Sequence, residues 1–378
     1  MVMRIWTGII LLFSGLTVLS TQAAATEEGT LVRLQRGPDG ALQPEVVVDA
    51  QGTLHSLYFV GEPAAGDLMY RRRGAGDDDW TPPVQVNSTA GSVIAIGTVR
   101  GGHLALGAGR VHVAWMSADR DNPGMFYTHS DDEGGFAHQR NVTSTESALD
   151  GGGSVAADEA GHVYVAWHAG HDGEPKRRLF VAASSDTGRS FRAEERANPI
   201  EAGACGCCGM RAGASPDGPL WILYRAATES VHRDMQLLAS TDGGRTFSQR
   251  TMHPWELAAC PMSTAAISPS AGGALLAWET DGQIFWSQVT AAGASSQVHA
   301  VAGEGGRRKH PAVAVDADGR IAIVWTEGTG WNRGGDLAWQ VVDAHGGPLE
   351  SGRMEAAVGT WSRAAVVAHP DGGFFVLH

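Results

Sequence analysis

A unit of roughly 50 residues repeats along this chain and limits its fold more than any other feature. Each copy has an apolar run, a glycine-containing turn, a second apolar run, and an aromatic six residues after the glycine. The turn glycines are Gly52, Gly109, Gly161, Gly218, Gly272, Gly319 and Gly372. The matching positions are Tyr58, Trp115, Trp167, Tyr224, Trp278, Trp325 and, in the last copy, His378. The runs are rich in Val and Ile and broken by Asp/Gly turns, the pattern of hairpins; no long stretch carries a helical period. Several short strands per unit at this period predict an all-β chain, a β-propeller of four-stranded blades. The count favours seven blades. The seventh copy ends at its second strand, so ring closure needs an outer strand from the N-terminus, and Leu31-Val32-Arg33-Leu34 is the candidate.

A second hairpin follows in the better copies. Ser184-Ser185-Asp186-Thr187-Gly188-Arg189-Ser190-Phe191 and Ser240-Thr241-Asp242-Gly243-Gly244-Arg245-Thr246-Phe247 share the pattern Ser-x-Asp-x-Gly-x-Ser/Thr-Phe, and Ser130 to Phe136 is a shorter relative. The pattern has a local reason. The aspartate accepts backbone N–H bonds in a tight turn, the glycine supplies positive φ, and the aromatic packs beneath. It resembles the Asp-box (BNR) motif of the sialidase-like propellers. That resemblance covers nearly all of residues 26–378 as a single propeller domain. The family usually has six blades, which keeps six as the alternative to seven.

The leader predicts export. Arg4 is followed by an apolar stretch from Ile5 to Leu19 and by small residues at Ala23-Ala24-Ala25, so residues 1–25 read as a cleaved signal peptide and the chain as periplasmic or secreted. The formal charge of −13 argues against nucleic acid and anionic lipid as partners. No second long apolar run follows the leader, so we expect no membrane insertion, and a monomer. Export makes disulfides available to the four cysteines.

Antiparallel blades send successive turns to alternate faces of the disc. The first turn and the Asp-box turn share one face. The loop after each aromatic and the connection between blades share the other. The unusual residues fall on that second face. Cys205, Cys207, Cys208, Cys260, Met262 and His310 precede first strands, His168, Arg225 and Glu279 follow the aromatics, and His232 and Trp255 lie in nearby loops. We take His168, Arg225, His232, Trp255, Glu279 and His310 as candidate ligand-binding residues. The four cysteines and Met262 are the candidate metal ligands. In an extended segment Cys205 and Cys207 point one way and Cys208 the other. Two readings of the sulfurs stand: disulfides such as Cys205–Cys208 and Cys207–Cys260, or a soft-metal site suited to copper as Cu(I).

The family resemblance implies a sialidase, with three substrate-binding arginines, a late tyrosine nucleophile with its glutamate, and an acid/base aspartate. The chain departs from that pattern. It has five tyrosines, none in its last hundred and fifty residues, and Arg71-Arg72-Arg73 does not stand in the family's arginine setting. A more specific likeness is to exported bacterial sialidase-like propellers with C-x-C-C, Arg, Arg-Asp, an Asp box and a Trp before Cys-Pro. Here those are Cys205 to Cys208, Arg225, Arg233-Asp234, Ser240 to Phe247, and Trp255 before Cys260-Pro261. Three functions follow as expectations: a non-hydrolytic binder of a small molecule, glycan or metal ion, a sialidase-type glycoside hydrolase, and a disulfide-locked scaffold for protein partners.

Overall fold

The computed structural model describes residues 30–199, 201–215, 218–270 and 272–378; the expected signal peptide at 1–25 lies outside them. The described residues form seven sheets around one axis. Six have four antiparallel strands. Their inner strands are Leu42–Val48, His103–Gly107, Leu149–Ala157, Arg211–Ala214, Ala265–Ser270 and Arg308–Val315, in blades 1 to 6. Blade 7 has three strands: Ala365–Ala368 inside, Phe374–Leu377 next, and the N-terminal strand Val32–Gln35 outside. The expected closure strand is therefore in place.

That closing strand runs parallel to its neighbour, pairing Val32 with Phe374 and Gln35 with Leu377. Topology accounts for the direction. In a four-stranded blade the outermost strand runs parallel to the second, because each is antiparallel to the third. Here the third strand is missing, and the outermost docks directly on the second. Its exit then feeds the inner strand of blade 1 from the correct face. The Gly37 amide bonds the His378 carbonyl at 2.7 Å and fastens the segment after the closing strand to blade 7.

The core lies between blades. Tyr58, Trp115, Trp167, Tyr224, Trp278 and Trp325 all sit in second strands and are buried. The Asp boxes add a second kind of stitch. In blade 3 the Ser184 hydroxyl donates to Asp186 Oδ1 (2.7 Å) and accepts from the Gly188 amide (3.0 Å), while Asp186 accepts the Ser190 amide (2.9 Å) and hydroxyl (2.6 Å). Blade 4 repeats these bonds with Ser240, Asp242, Gly244 and Thr246. The donors hold Asp186 down to about 2, its bond from the Ser190 hydroxyl being the largest cause. The box aromatics then reach across. Phe191 meets Tyr127 of blade 2 edge-on at 4.8 Å, Phe136 of the shorter box meets Tyr70 of blade 1 at 5.4 Å, and Phe247 packs on the cluster that contains Tyr164. The box is thus a joint between neighbouring blades.

Two of its glycines separate backbone strain from crowding. Gly134 has φ 89° and open space where a Cβ would stand, whereas at Gly188, with φ 78°, a Cβ would strike the Tyr127 hydroxyl. Gly134→Ala should cost about 1–2 kcal/mol for left-handed backbone alone. Gly188→Ala must also displace Tyr127 from its 2.7 Å bond to His112 Nδ1. We expect denaturant midpoints to place Gly188→Ala about 1 kcal/mol or more below Gly134→Ala; equal losses would contradict the joint.

Candidate functional site

The connections between blades and the loops after second strands share one face, and three consecutive blades bring the sulfur residues together there. The backbone first fixes Cys205: the Ala204 amide bonds the Glu174 carbonyl (3.0 Å) and the Cys205 amide bonds the Arg225 carbonyl (3.0 Å). The chain then turns, with the Cys208 amide on the Cys205 carbonyl at 3.3 Å, and leaves through the Gly209 amide on the Ser263 carbonyl at 3.0 Å. The expected extended segment is therefore a tight turn. That difference decides the chemistry, because the turn swings Cys208 to the side of Cys205.

Cys205 Sγ lies 3.2 Å from Cys207 Sγ and 3.3 Å from Cys208 Sγ. The three sulfurs lie within 4.8 Å of one another, and Cys207, Cys260 and a Glu174 oxygen form a second such group. Cys207 belongs to both, so it links Cys260 to the cluster. All four cysteines are free thiols here, with Cys205 and Cys208 buried and Cys260 exposed. The expected pairs Cys205–Cys208 and Cys207–Cys260 are adjacent but unbonded.

The three clustered sulfurs shift one another's acidity in opposite directions. S–H bonds from Cys205 and Cys207 hold the Cys208 thiol well below its usual range against the effect of burial, and Arg225 adds to this. Donation to Cys207 and Cys208 pushes Cys205 up. Cys207 is also raised: its bond with Cys205 favours the thiolate, but donation to Cys208 and burial outweigh it. Cations surround the group. Arg225 is buried; Nη1 donates to the Arg233 carbonyl (2.8 Å), Nη2 to the Glu279 carbonyl, and the guanidinium lies 5.1 Å above the Trp255 ring. Arg233 reaches Glu174 at 2.8 Å, and Arg177 reaches Asp150 at 3.2 Å.

The remaining predicted residues separate. His168 is buried at the next-to-last position of its strand, with Nε2 3.3 Å from the Cys208 carbonyl and Nδ1 without a partner. Glu279 is buried beside Arg225 at 4.0 Å; its Oε2 has no hydrogen-bond partner, and burial pushes its carboxyl up. His310 is buried and Met262 half-buried, both lining a small cavity with Cys207. Burial pushes His310 down to about 3, so its imidazole is neutral. His232 faces Glu256 at 3.7 Å on the exposed side of its loop.

Two groups escaped the sequence reading. Glu174 sits on a single 3₁₀ turn, Glu174–Lys176, whose sequence has no distinguishing pattern. The other group is a charge network in the central channel. Arg211 grips Glu45 with both Nη atoms, at 3.1 and 2.9 Å, and Arg363 donates to the same carboxylate. His103 Nδ1 accepts from Arg211 and lies 3.5 Å from Glu45. Glu45 lies in the middle of the first inner strand, His103 and Arg211 begin theirs, and Arg363 precedes the last. Charged residues inside otherwise apolar inner-strand segments were the available signal. On the Asp-box side of this plug the channel opens into a cavity of about 380 Å³ walled by Val46, Leu104, Val155, Ile267 and Val313.

No family model matches the chain, and no curated protein matches it. Among solved structures it is similar to the α-L-arabinanase of Penicillium chrysogenum, at 15% identity over 81% of this chain and 94% of that one, with a TM-score of 0.51. It is also similar to an α-L-arabinofuranosidase of Fusarium graminearum, at 13% identity over 81% and 94%, with a TM-score of 0.52. A sialidase of Streptococcus pneumoniae matches at 10% identity over 88% and 64%, with a TM-score of 0.43, too low to argue from. At these identities the likeness shows the fold alone, a β-propeller.

The channel network sets an acid limit on stability. Burial opposes the charge on Glu45, but Arg211 and Arg363 outweigh it and hold its carboxyl well below 4.5. Burial, with Arg211 beside it, pushes His103 down from 6.5 to about 4, and burial pushes His112 down from 6.5 to about 4. In each case the unfolded chain binds the proton first, so folding is favoured as pH rises. Stability should be full above pH 6.5, fall from there to about 4 as the histidines charge, and fall again as Glu45 protonates. Glu45→Gln leaves two buried cations facing one another and should cost about 3–5 kcal/mol at neutral pH. Urea midpoints against pH test both; a profile flat from pH 7 to 4 would contradict the assignment.

Proposed function

We propose that this chain is an exported, non-hydrolytic propeller that binds Cu(I) through its sulfur cluster. The observation that carries the reading is the meeting of three sulfurs, with Cys207 and Cys208 at 3.2 and 3.3 Å from Cys205 and Cys260 joined through Cys207. Thiolates select soft ions. Metal–thiolate bonds of about 2.3 Å need sulfurs about 4 Å apart, so a small opening of the turn suffices. Binding drives S–H protons to solvent. Arg225, whose own contacts are mostly neutral, lies in place to offset the negative charge that a copper–thiolate centre gains, while Arg233 and Arg177 already meet Glu174 and Asp150.

Hydrolysis of the sialidase type is disfavoured by the same structure. Arg211 and Arg363 are the cations of the channel, and Glu45 already satisfies them as an internal carboxylate. All five tyrosines are buried in blade strands, and burial raises Tyr70 and Tyr164 to about 12. The neighbours' glycan chemistry keeps a glycan ligand in view for this scaffold, though the donor set at the cysteine face is that of a soft-metal site.

Metal analysis of protein isolated anaerobically from the periplasm tests the reading. We expect bound copper that survives desalting and is lost in Cys207→Ser, with no release of sialic acid from a fluorogenic sialoside. Copper-free protein lacking titratable thiols would favour the disulfide-locked scaffold instead. Sialoside turnover abolished by a change on this face would favour the hydrolase.

A further inference from the structure

Three large residues enter the ring in left-handed backbone at one rank of the channel mouth: Met262 (φ 52°), His310 (φ 56°) and Trp361 (φ 59°). Each stands two residues before a residue at the channel: Thr264, Ala312 and Arg363. In blade 1 the same place is Gln43 (φ 51°), whose amide is fully used on the carbonyls of Ala95 and Gly97 and the amide of Gly101. In blades 2, 3 and 4 it is Gly101, Gly152 and Gly209. Backbone strain held by packing marks places where a side chain must be aimed.

Met262, His310 and Trp361 all line one small cavity, open to solvent on the side of Trp331. Together with Cys207, Lys309 and Trp331 they line about 30 Å³, room for a single ion. The His310 imidazole is 5% exposed and its Nδ1 has no hydrogen-bond partner; the Trp361 indole N–H is likewise unpartnered. Buried polar atoms without partners call for an explanation. Lys309 Nζ bonds the carbonyls of Pro261 and Met262 and ties down the methionine's segment. Trp331, 44% exposed, stands edge-on to Trp361 at 6.1 Å and forms the outer wall.

From this geometry we infer a second soft-cation site, in which Met262 Sδ, His310 Nδ1 and Cys207 Sγ take a Cu(I) ion at the channel mouth. It rests on the thiolate reading because Cys207 bridges the two sites. A thioether, an imidazole and one thiolate make it the weaker of the two. Its outer wall is open to solvent, whereas Cys205 and Cys208 are buried. An ion arriving past Trp331 is held first by Met262 and His310, then passed over Cys207 to the deeper sulfurs. No electron moves; the Cys207 proton leaves to water and the ion changes ligands.

Anaerobic titration of the reduced full-length protein with Cu(I), in competition with bicinchoninate, tests this. We expect two equivalents per chain, the second weaker and accompanied by quenching that Trp331→Phe diminishes. Met262→Leu, matched in volume, with His310→Asn, tolerant of left-handed backbone, should retain the tight equivalent and lose the weak one. Met262→Leu alone should weaken it at least tenfold without lowering the melting temperature. A single equivalent in the wild type, unchanged in the double variant, would overturn this site and leave the thiolate reading standing. No uptake of Cu(I) by the wild type would remove both.

Discussion

Seven inner strands meet around an axis only if the polar groups they bring there satisfy one another, and Glu45 is the group on which this depends. Two guanidiniums, Arg211 and Arg363, end on its single carboxylate. The excess positive charge leaves no room for another, which is why His103 must be neutral and must turn an unprotonated Nδ1 toward Arg211. Blades 1, 2, 4 and 7 are thereby tied across the channel, not only to their sequence neighbours. A buried pair of this kind is a poor source of net stability next to apolar packing, but breaking it leaves an uncompensated charge. Its effect is to fix which side chains face which around the mouth, and the cysteine face is built on that rank.

Closure follows from the same demand for consistency. A ring with a short seventh blade needs one more strand, and the direction of that strand is set by where blade 1 must begin. Val32–Gln35 answers by pairing parallel to Phe374–Leu377, an exception among otherwise antiparallel ladders. Parallel pairing costs little here, because Val32 is buried against the blade 6–7 cluster whichever way the strand runs.

Fold and site were legible in the sequence to different degrees. The glycine-plus-six rule and the Asp boxes are local: each needs only the hairpin that contains it, so period and turn chemistry declare both. The face of each loop also followed, since it depends on strand parity alone. Glu174 and the Glu45–Arg211–Arg363 network were not legible, because their partners lie 59, 166 and 318 residues away and no spacing rule encodes them. The turn at Cys205–Cys208 was misjudged for a related reason. Local pattern suggested an extended approach to the inner strand, but the amide of Cys205 is claimed by Arg225 and that of Gly209 by Ser263, from two other blade elements, and the segment between must fold back.

That fold-back explains why the chemistry gathers on the cysteine face. A thiolate among thiols is stable in a buried place only where S–H donors and a cation face it. Cys205 and Cys207 supply the donors, and Arg225 supplies the charge. Arg225 is free to do so because its own contacts are mostly neutral: the carbonyls of Arg233 and Glu279, the hydroxyl of Thr280 and the face of Trp255. Glu279, 4.0 Å away and with its carboxyl pushed toward the neutral form, does not compete strongly for it. The cation's attraction is therefore directed at sulfur rather than spent on a carboxylate. In the channel beneath, Arg211 and Arg363 end on Glu45 and have nothing left for a ligand. Arginine is thus closed to ligands in the channel and available at Arg225, and the difference lies in how closely a carboxylate is bonded: Glu45 meets both channel guanidiniums directly, whereas Glu279 stands 4.0 Å from Arg225.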